Sequence, residues 1–462
     1  FTLHLYCIRH SVIPNWGIIM KSRLLYAALG ALALTTPATA QTNPTVYGSV
    51  VFGHEWEDMK APPYGLYSMP ADNGNAIKLE VRNDAIKANG GGVYVDGMYH
   101  LVDFTRYEFE QVVTFRTFDT KNNWKLINEQ TIKSYSSAAS DLTYDPVDDK
   151  IYGCFKETAT STQYFLGTLN PITGFASKIA DIDEELIVLA STRDGMLYGV
   201  GAYGMLYSVD KQTGKLTKIG QTGKSVKYSQ SATFDYASGR MLWAMTPHYT
   251  NESPELCEID LSTGKTTTLA TIPERYEFTG IYTLSPYAAD NAPQTATAFG
   301  GKYEKGALSG TVSFTAPTAT MGGSTLSGSL SYTLCVDDKA EQTATGTTTA
   351  GETVTLPKQL SRGMHYLKVA TQNTAGRSPW AYSYFWAGTD EVEAKDAIAY
   401  EDNGAVKVTW EAPTKGVHDG YYDPTDVKYV VTRQPDNVKV YEGTATSCTD
   451  NTIGGLQYGF YY

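Results

Sequence analysis

An internal repeat of about 50 residues constrains this chain more than any other feature of its sequence. Three copies have a turn, two hydrophobic segments, a Thr-Gly turn and a final strand-like segment, and two weaker copies at 46–81 and 91–127 lack the Thr-Gly turn. Aligning the aromatic residue of the second segment selects one residue per copy, at spacings of 52, 53, 46 and 45: Tyr47, Tyr99, Tyr152, Tyr198 and Trp243. Four short antiparallel strands at this period form one sheet of a ring of sheets. The sequence therefore predicts five such sheets.

The two ends of the repeat region complement each other. The first copy lacks an innermost strand, while the segment FTGIYTL (278–284) follows the fifth copy and is unassigned. Adding this segment to the first copy closes the ring and removes its open edges. We predict an all-β fold with a five-bladed β-propeller over residues 41–287, in which 278–284 pairs with the strand of Tyr47.

The motif DxxTGKxT occurs at 210–217 and 260–267. With the repeat, it resembles bacterial secreted propellers of the NHL/YVTN-like or quinoprotein-like superfamily. The motif specifies a turn, since Asp and Thr favour turn-initiating hydrogen bonds and Gly supplies a positive φ. Quinoprotein dehydrogenases carry a Trp shortly after the TGK, and neither copy has one here. The resemblance therefore implies a fold and gives no support to that activity.

The C-terminal part has Thr-, Ser- and Gly-rich strands with alternating inward residues. Residues 291–390 resemble a fibronectin type III domain, on a pattern carried by Tyr366, Val369, Ala370, Asn373, Gly376 and Ser378. A second such domain is predicted over 397–462, with Trp410 at the usual core position. Because it needs about two more strands at ordinary strand lengths, we expect it to be incomplete and the sequence to be a fragment.

The N-terminal region predicts export. Residues 20–40 combine basic residues, a short apolar run and an Ala-Thr-Ala cleavage pattern, which is typical of a signal peptide cut after Ala40. Residues 1–19 precede the first Met and are interpreted as untranslated upstream sequence. The apolar run is too short to cross a bilayer, so we expect no transmembrane segment after cleavage. The expected location is secreted, periplasmic or on the outer cell surface.

Charge and residue spacing exclude several function classes. A net charge of −12 argues against binding to a nucleic-acid backbone, which requires basic surface. The histidines show no metal-ligand spacing, so we predict no metal site and no cofactor. Cys154, Cys257, Cys335 and Cys448 show no disulfide framework, and buried free thiols are the simpler interpretation. We expect a monomer.

Loop lengths indicate where a site would lie. In a four-stranded meander, the turns after strands 1 and 3 lie on one face, and here they are tight; the longer loops lie on the opposite face. We call these the tight-turn face and the long-loop face. The long-loop face comprises 54–64, 104–111, 132–140, 182–188, 224–231, 246–252 and 273–278. Function usually lies on such loops.

The long-loop face is rich in aromatic residues, which bind sugar rings or peptide partners with little loss of side-chain entropy. The residues predicted to bind a polysaccharide or protein ligand are Trp56, Tyr107, Tyr135, Tyr228 and Tyr249. A secreted binding or adhesion protein, with fibronectin type III spacers, is the favoured interpretation. Any one of these tyrosines could instead pack its loop onto the sheets.

Two other functions remain open. Paired carboxylates about 5–9 Å apart would support a glycoside hydrolase, and a lyase could use the same face. The acidic candidates on the loops are Glu55, Glu57, Asp58, Glu108, Glu110, Asp183, Glu184, Glu185 and Glu274. The sequence singles out no catalytic residue among them. A purely structural role in a larger surface protein is the third interpretation.

Overall fold

The computed structural model describes residues 43–51, 53, 61–87, 90–107, 110–158, 161–226, 229–248 and 252–457. Side chains at 105–107, 110, 111 and 135 are not part of this description. Throughout these ranges the chain is all-β, with strands, turns and four single-turn 3₁₀ segments (Tyr135–Ser137, Glu304–Gly306, Ala340–Gln342 and Pro424–Asp426). Within the same ranges, no helix has the length and apolar character needed to cross a membrane.

Twenty strands build the N-terminal part. In chain order they are β1 Thr45–Val50, β2 Gly65–Pro70, β3 Lys78–Arg82, β4 Gly92–Val95, β5 Met98–Tyr107, β6 Glu110–Asp119, β7 Lys125–Ile132, β8 Ala139–Asp145, β9 Lys150–Lys156, β10 Tyr164–Leu169, β11 Ala176–Ile182, β12 Leu186–Ser191, β13 Leu197–Gly201, β14 Met205–Val209, β15 Leu216–Gln221, β16 Ser231–Asp235, β17 Arg240–Met245, β18 Glu255–Ile259, β19 Thr266–Thr271 and β20 Phe278–Thr283. They form five antiparallel four-stranded sheets: β20-β1-β2-β3, then β4–β7, β8–β11, β12–β15 and β16–β19. We number these sheets 1 to 5.

The predicted pairing of 278–284 with the strand of Tyr47 is confirmed. Strand β20 pairs with β1, and Tyr47 lies opposite Tyr282. The innermost strands contact one another in the cyclic order β20, β4, β8, β12, β16 and back to β20. The aromatic residue that marks each repeat lies on the second strand of its sheet, and Tyr99 and Trp243 are fully buried there. The sequence period therefore corresponds to one sheet per repeat.

The repeated Thr-Gly turns are built as the motif predicts. Asp210 Oδ1 accepts hydrogen bonds from the Gln212 and Thr213 amides at 2.8 and 2.9 Å, and Gly214 follows with φ 69°. A side chain at Gly214 would also bring its Cβ to 2.9 Å from that of Ala180. These turns are tight because the Asp side chain and the left-handed glycine reverse the chain within a few residues.

Two predicted loops are wrong in extent. The segment 104–111 was predicted as a loop, but Phe104 to Tyr107 continue β5 and pair with β6 as a long hairpin. Its aromatic and β-branched residues favour an extended strand over a loop. The segment 182–188 is also mostly strand, since β11 ends at Ile182 and β12 begins at Leu186. The connection between sheets 3 and 4 is therefore three residues, 183–185.

Eight strands follow in two further sheets. They are β21 Thr297–Lys302, β22 Ser309–Thr315, β23 Ser329–Val336, β24 Ala344–Thr349, β25 Thr353–Gln359, β26 Gly363–Asn373, β27 Gly376–Arg377 and β28 Ala381–Ala387. One sheet has the order β21-β22-β25; in the other, β24-β23-β26 continues into β27 and β28, which both pair with β26. We call this pair the first sandwich, because one apolar core draws on both sheets, for example Phe314 and Leu334.

The residues that carried the fibronectin type III resemblance have structural roles in the first sandwich. Tyr366, Val369 and Ala370 are buried on β26. Asn373 Oδ1 accepts a 2.9 Å hydrogen bond from the Ala375 amide, and the buried Ser378 hydroxyl accepts one of 3.1 Å from the Thr371 amide. The motif thus closes the turn between β26 and β28.

The last five strands are β29 Lys395–Asp402, β30 Ala405–Glu411, β31 Tyr429–Arg433, β32 Val438–Gly443 and β33 Ser447–Asp450. They form one sheet of three strands, β29-β30-β33, and one of two, β31-β32, which we call the second sandwich. As predicted, Trp410 lies in its core, with ring centroids 5.3 Å from Tyr429 and 6.0 Å from Tyr441. Residues 458–462 of the predicted second domain lie outside the described residues.

The two sandwiches contact the ring at its tight turns. In the first sandwich, the Trp380 amide donates to Asp96 Oδ2 at 2.7 Å, and Arg377 donates to the Pro146 carbonyl at 3.1 Å. In the second, Asp419 forms a 2.8 Å ion pair with Lys125. On the ring, the residues that bond the sandwiches at tight turns are Asp96, Lys125, Pro146, Asp149 and Pro171.

The Asp96 contact makes the free energy of unfolding depend on pH. Burial raises the pKa of Asp96 to about 6, although Tyr287 and the Trp380 amide donate to it and Arg377 and Lys121 lie nearby. A carboxyl whose pKa is raised by folding stabilises the fold fully below its unfolded pKa, and this contribution is lost as the pH rises through about 6. Two pKa units correspond to about 3 kcal/mol.

We therefore expect the protein to lose stability between about pH 4 and pH 6, and Asp96→Asn to remove part of that loss. The amide oxygen of Asn can still accept from Tyr287 and Trp380. Denaturant unfolding of both proteins across this pH range measures the difference. Identical pH profiles for the two proteins would contradict the assignment to Asp96.

Candidate functional site

The innermost strands fix which face each loop occupies. The Leu189 and Ser191 amides bond the side chains of Asp141 and Thr143, both 48 residues earlier, so β12 and β8 run in the same direction. With parallel inner strands, each one begins on the long-loop face and ends on the tight-turn face. Because the sandwiches are bonded to the tight-turn face, the long-loop face is the candidate site.

The five predicted binding residues fall at the edge of what the structure describes. Trp56, Tyr228 and Tyr249 lie outside the described residues. Tyr107 ends β5 and Tyr135 begins a 3₁₀ segment, but their side chains are not described. Of the acidic candidates, Glu55, Glu57, Asp58 and Glu108 lie outside the described residues, and the side chain of Glu110 is likewise not described. The described part of the site consists of its other loop residues.

Asp141 lies between the inner strands, where the channel of the ring would run. Its Oδ2 accepts from the Leu189 and Ala232 amides at 3.0 and 3.1 Å, and its Oδ1 accepts from the Ser231 hydroxyl at 2.9 Å. The Ser231 oxygen in turn accepts from the Ile281 amide at 3.1 Å. One carboxyl thus connects the inner strands of sheets 3, 4 and 5 and, through Ser231, that of sheet 1.

The environment of Asp141 is that of a structural group. Its side chain is fully buried. Four hydrogen bonds lower the pKa of Asp141, but burial outweighs them and raises it to about 8. Its described donors are backbone amides and one serine, so neither oxygen is left for a substrate. Asp141 therefore holds the ring together at its centre and does not provide an exposed acid.

Two predicted acidic residues do lie at the rim, and each is already bonded. Glu185 accepts from the Ser140 hydroxyl at 3.0 Å, which links sheets 3 and 4. Glu184 accepts a short hydrogen bond from the Tyr207 hydroxyl. Asp183 and Glu274 are exposed. These two adjacent loop residues stabilise the rim, so the carboxylates of Glu184 and Glu185 are both already hydrogen-bonded.

Aromatic and basic side chains meet at the part of the rim formed by sheet 1. The Tyr67 and Tyr276 rings are 5.6 Å apart edge to face, and Arg275 lies over Tyr276 at 5.1 Å. Lys87 lies 5.3 Å from the centre of the Tyr64 ring. Tyr276 and Tyr64 are half-buried, so one side of each ring packs on the core and part of each remains accessible. This is a surface of aromatic rings with cations beside them.

A cavity of about 420 Å³ opens on the same face between sheets 4 and 5, next to the predicted loops 224–231 and 246–252. Lys224 lies in it, paired with Glu255, and Glu255 also accepts from Thr268 at 2.8 Å. Burial alone would raise the pKa of Glu255. The hydrogen bond from Lys224 outweighs this effect, together with that from Thr268, and holds the pKa below its usual range. The pair keeps both charges at neutral pH and forms a polar wall beside Ser225 and Ser253.

Sequence reasoning missed Asp141 and the Lys224–Glu255 pair. Asp141 lies in the inner strand Ala139–Asp145, which also carries Ser140, Thr143 and a second acid, Asp145, so no local pattern distinguishes it. The pairing of Lys224 with Glu255 joins two sheets across 31 residues and leaves no local pattern. Only the folded ring brings these groups together.

No protein-family model matches the chain, and no curated protein matches it. Among solved structures, the chain is similar to the catalytic domain of a GH62 α-L-arabinofuranosidase from Coprinopsis cinerea, with 10% identity over 60% of this chain and 92% of that one, at a TM-score of 0.30. A second is the α-L-arabinofuranosidase of Podospora anserina in complex with cellotriose, with 9% identity over 60% and 91%, at 0.29. The FN1–FN3 domains of chicken CNTN1 match with 11% identity over 56% and 84%, at 0.17. We draw no conclusion on function from these likenesses.

Proposed function

We propose that this chain is a secreted or cell-surface binding protein, in which a five-bladed propeller binds a polysaccharide or protein ligand on its long-loop face. The observation that carries the proposal is the position of the sandwiches. Both are bonded to tight turns, through Asp96, Asp149 and Lys125 among others. The opposite face, with its longer loops, is left to meet a ligand.

The five-blade interpretation rests on closure and order. The strand Phe278–Thr283 completes the sheet of β1, as in a ring closed by the last strand of the repeat region. The innermost strands meet in a five-membered cycle. A closed ring protects the sheet edges, and it makes a rigid platform on which loops from different sheets converge.

Binding is favoured over hydrolysis because three described carboxylates, Asp141, Glu184 and Glu185, are already hydrogen-bonded within the protein. Glycoside hydrolysis needs two carboxylates facing a substrate about 5–9 Å apart. Asp141 is buried and bonded to backbone amides, while Glu184 and Glu185 bond Tyr207 and Ser140. The rim offers tyrosine rings flanked by Arg275 and Lys87, groups that suit a ligand held by stacking and hydrogen bonds.

We expect Trp56→Ala and Tyr228→Ala to weaken binding. Truncating an interface residue that carries binding energy costs over about 1 kcal/mol, or a factor of about five in Kd. A glycan array and a pull-down from extracellular extracts identify the ligand, and titration calorimetry of the wild type and both variants then measures the loss.

Phe175→Ala is the matched control, since Phe175 is an aromatic residue 53% exposed on the tight-turn face. It should leave Kd unchanged. Gly214→Ala should lower the free energy of unfolding through its positive φ and likewise leave Kd unchanged. Loss of binding only in the tight-turn variants, or in none of the four, would move the site away from the long-loop face.

A further inference from the structure

A second cavity lies between the ring and the first sandwich, away from the long-loop face. It measures about 370 Å³, which falls in the range of small-molecule sites. One wall comes from sheets 2 and 3, including His100, Asp149 and Asn170, and the other from the sandwich, including Lys368 and Tyr382. Exposed residues such as Lys150 and Ser177 lie among its lining, so the cavity opens to solvent.

His100 forms part of the inner wall of this cavity. Its side chain is 97% buried, and Nδ1 is hydrogen-bonded to the Thr117 hydroxyl at 2.9 Å. Burial lowers the pKa of His100 to about 3, so the ring is neutral. The described hydrogen bond of the His100 ring is confined to Nδ1. A neutral imidazole in the wall of an open cavity can form one more hydrogen bond through its second nitrogen.

Two further groups offer hydrogen bonds to the cavity. The Tyr382 hydroxyl has no partner among the described residues, and its ring lines the sandwich wall. Asn170 uses its Oδ1 to accept from the Ile172 and Thr173 amides, which leaves its Nδ2 free of any described bond. The cavity thus presents a hydroxyl, an amide and an imidazole nitrogen beside tyrosine rings.

The charged residues that line the cavity are three carboxylates and two lysines: Asp148, Asp149, Asp338, Lys150 and Lys368. Lys368 pairs with Asp149 and Asp338. Asp148 pairs at 2.6 Å with Lys211, which lies outside the lining and also pairs with Asp145. The lining therefore carries a net negative charge, which disfavours an anionic ligand. Apart from Lys150, the remaining hydrogen-bonding groups are neutral.

We propose that this inter-domain cavity binds a neutral sugar ring, with His100, Asn170 and Tyr382 bonding its hydroxyls. A sugar hydroxyl both donates and accepts, so it can satisfy the imidazole nitrogen, the amide and the phenol together. Tyrosine rings pack against the apolar face of a sugar. The site is separate from the long-loop face and does not depend on the function proposed there.

The test is ligand-observed NMR of the full chain with a panel of neutral hexoses, pentoses and N-acetylhexosamines, together with glucuronate and inorganic phosphate. At least one neutral sugar should bind, and glucuronate and phosphate should bind more weakly than it does. Tyr382→Phe removes only the hydroxyl, and His100→Asn retains a polar atom near Thr117 while removing Nε2. Each should raise Kd about fivefold, the value of one hydrogen bond.

Tyr303→Phe is the control, because Tyr303 lies in the first sandwich and its hydroxyl donates to the Lys358 carbonyl at 3.2 Å without lining the cavity. It should leave sugar binding unchanged. Thermal melts confirm that each variant is folded. The proposal is overturned if no neutral sugar binds, if phosphate or glucuronate binds best, or if Tyr382→Phe and His100→Asn leave Kd at the wild-type value.

Discussion

Asp141→Ala should lower the free energy of unfolding by about 4 kcal/mol, the largest effect we expect from a single substitution. The change leaves the Leu189 and Ala232 amides buried without an acceptor. Each unsatisfied buried donor costs about 1–3 kcal/mol, and the lost side chain leaves a gap at the centre of the ring. Urea unfolding followed by tyrosine and tryptophan fluorescence measures the change.

Asp141→Asn provides the matched comparison. The amide oxygen can take over both backbone amides, and the amide nitrogen can donate to the Ser231 oxygen. We expect a loss of about 1 kcal/mol or less, consistent with one altered hydrogen bond. Equal, small losses in the alanine and asparagine variants would mean that Asp141 does not hold the inner strands together.

Lys368→Met should be the second most damaging change. The Lys368 ammonium is shared between Asp149 on the ring and Asp338 on the sandwich, and its side chain is only 9% exposed. Removing one partner of a buried ion pair typically costs about 3–5 kcal/mol, because the opposite charge is left unpaired. Since the Asp338 side chain is 42% exposed and can be solvated, we expect the lower end, about 3 kcal/mol.

The loss should fall on the contact between ring and sandwich. We expect limited proteolysis to cut the connection 284–296 faster in Lys368→Met than in the wild type. Lys339→Met is the control, since Lys339 is 52% exposed and lies 3.8 Å from Asp337. Its effect should stay within about 0.5 kcal/mol. Equal proteolysis rates for Lys368→Met and the wild type would show that the ion pair does not hold the two parts together.

The periodic part of the fold could be predicted from the sequence because similar core and turn residues recur from sheet to sheet. An aromatic residue fills the same core position, as Tyr99 and Trp243 show, and in sheets 4 and 5 an Asp and a Gly shape the same turn. The unassigned segment 278–284 could be placed because an unpaired strand and an open edge are both costly. The boundaries around 104–111 failed because those residues favour a strand as much as a loop.

The contacts that join the parts could not be read in this way. Asp96 bonds Trp380 across 284 residues, and Asp149 bonds Lys368 across 219. Such pairs have no fixed spacing in the sequence. By sequence alone, Asp96 and Asp149 look like ordinary exposed acids on turns. The neutral state of His100 is likewise invisible in sequence, since it follows from burial between two sheets.

The candidate site was predicted in outline, by loop length, rather than residue by residue. Glu184 and Glu185 were selected as acidic rim residues, and the structure shows that each bonds a neighbour. Loop composition indicates which face can vary, but it does not tell which carboxylates are already used. The binding roles of Trp56, Tyr107, Tyr135, Tyr228 and Tyr249 stay predictions.

Hydrogen–deuterium exchange of the full chain, with and without the ligand found by the array or pull-down, tests the central claim most directly. If the long-loop face binds the ligand, protection should concentrate in three loops: 54–64 of sheet 1, 224–231 between sheets 4 and 5, and 246–252 of sheet 5. The tight turns 145–150 and 170–175 should exchange equally in both states. Protection confined to those turns, with the three loops unchanged, would contradict the assignment of binding to the long-loop face.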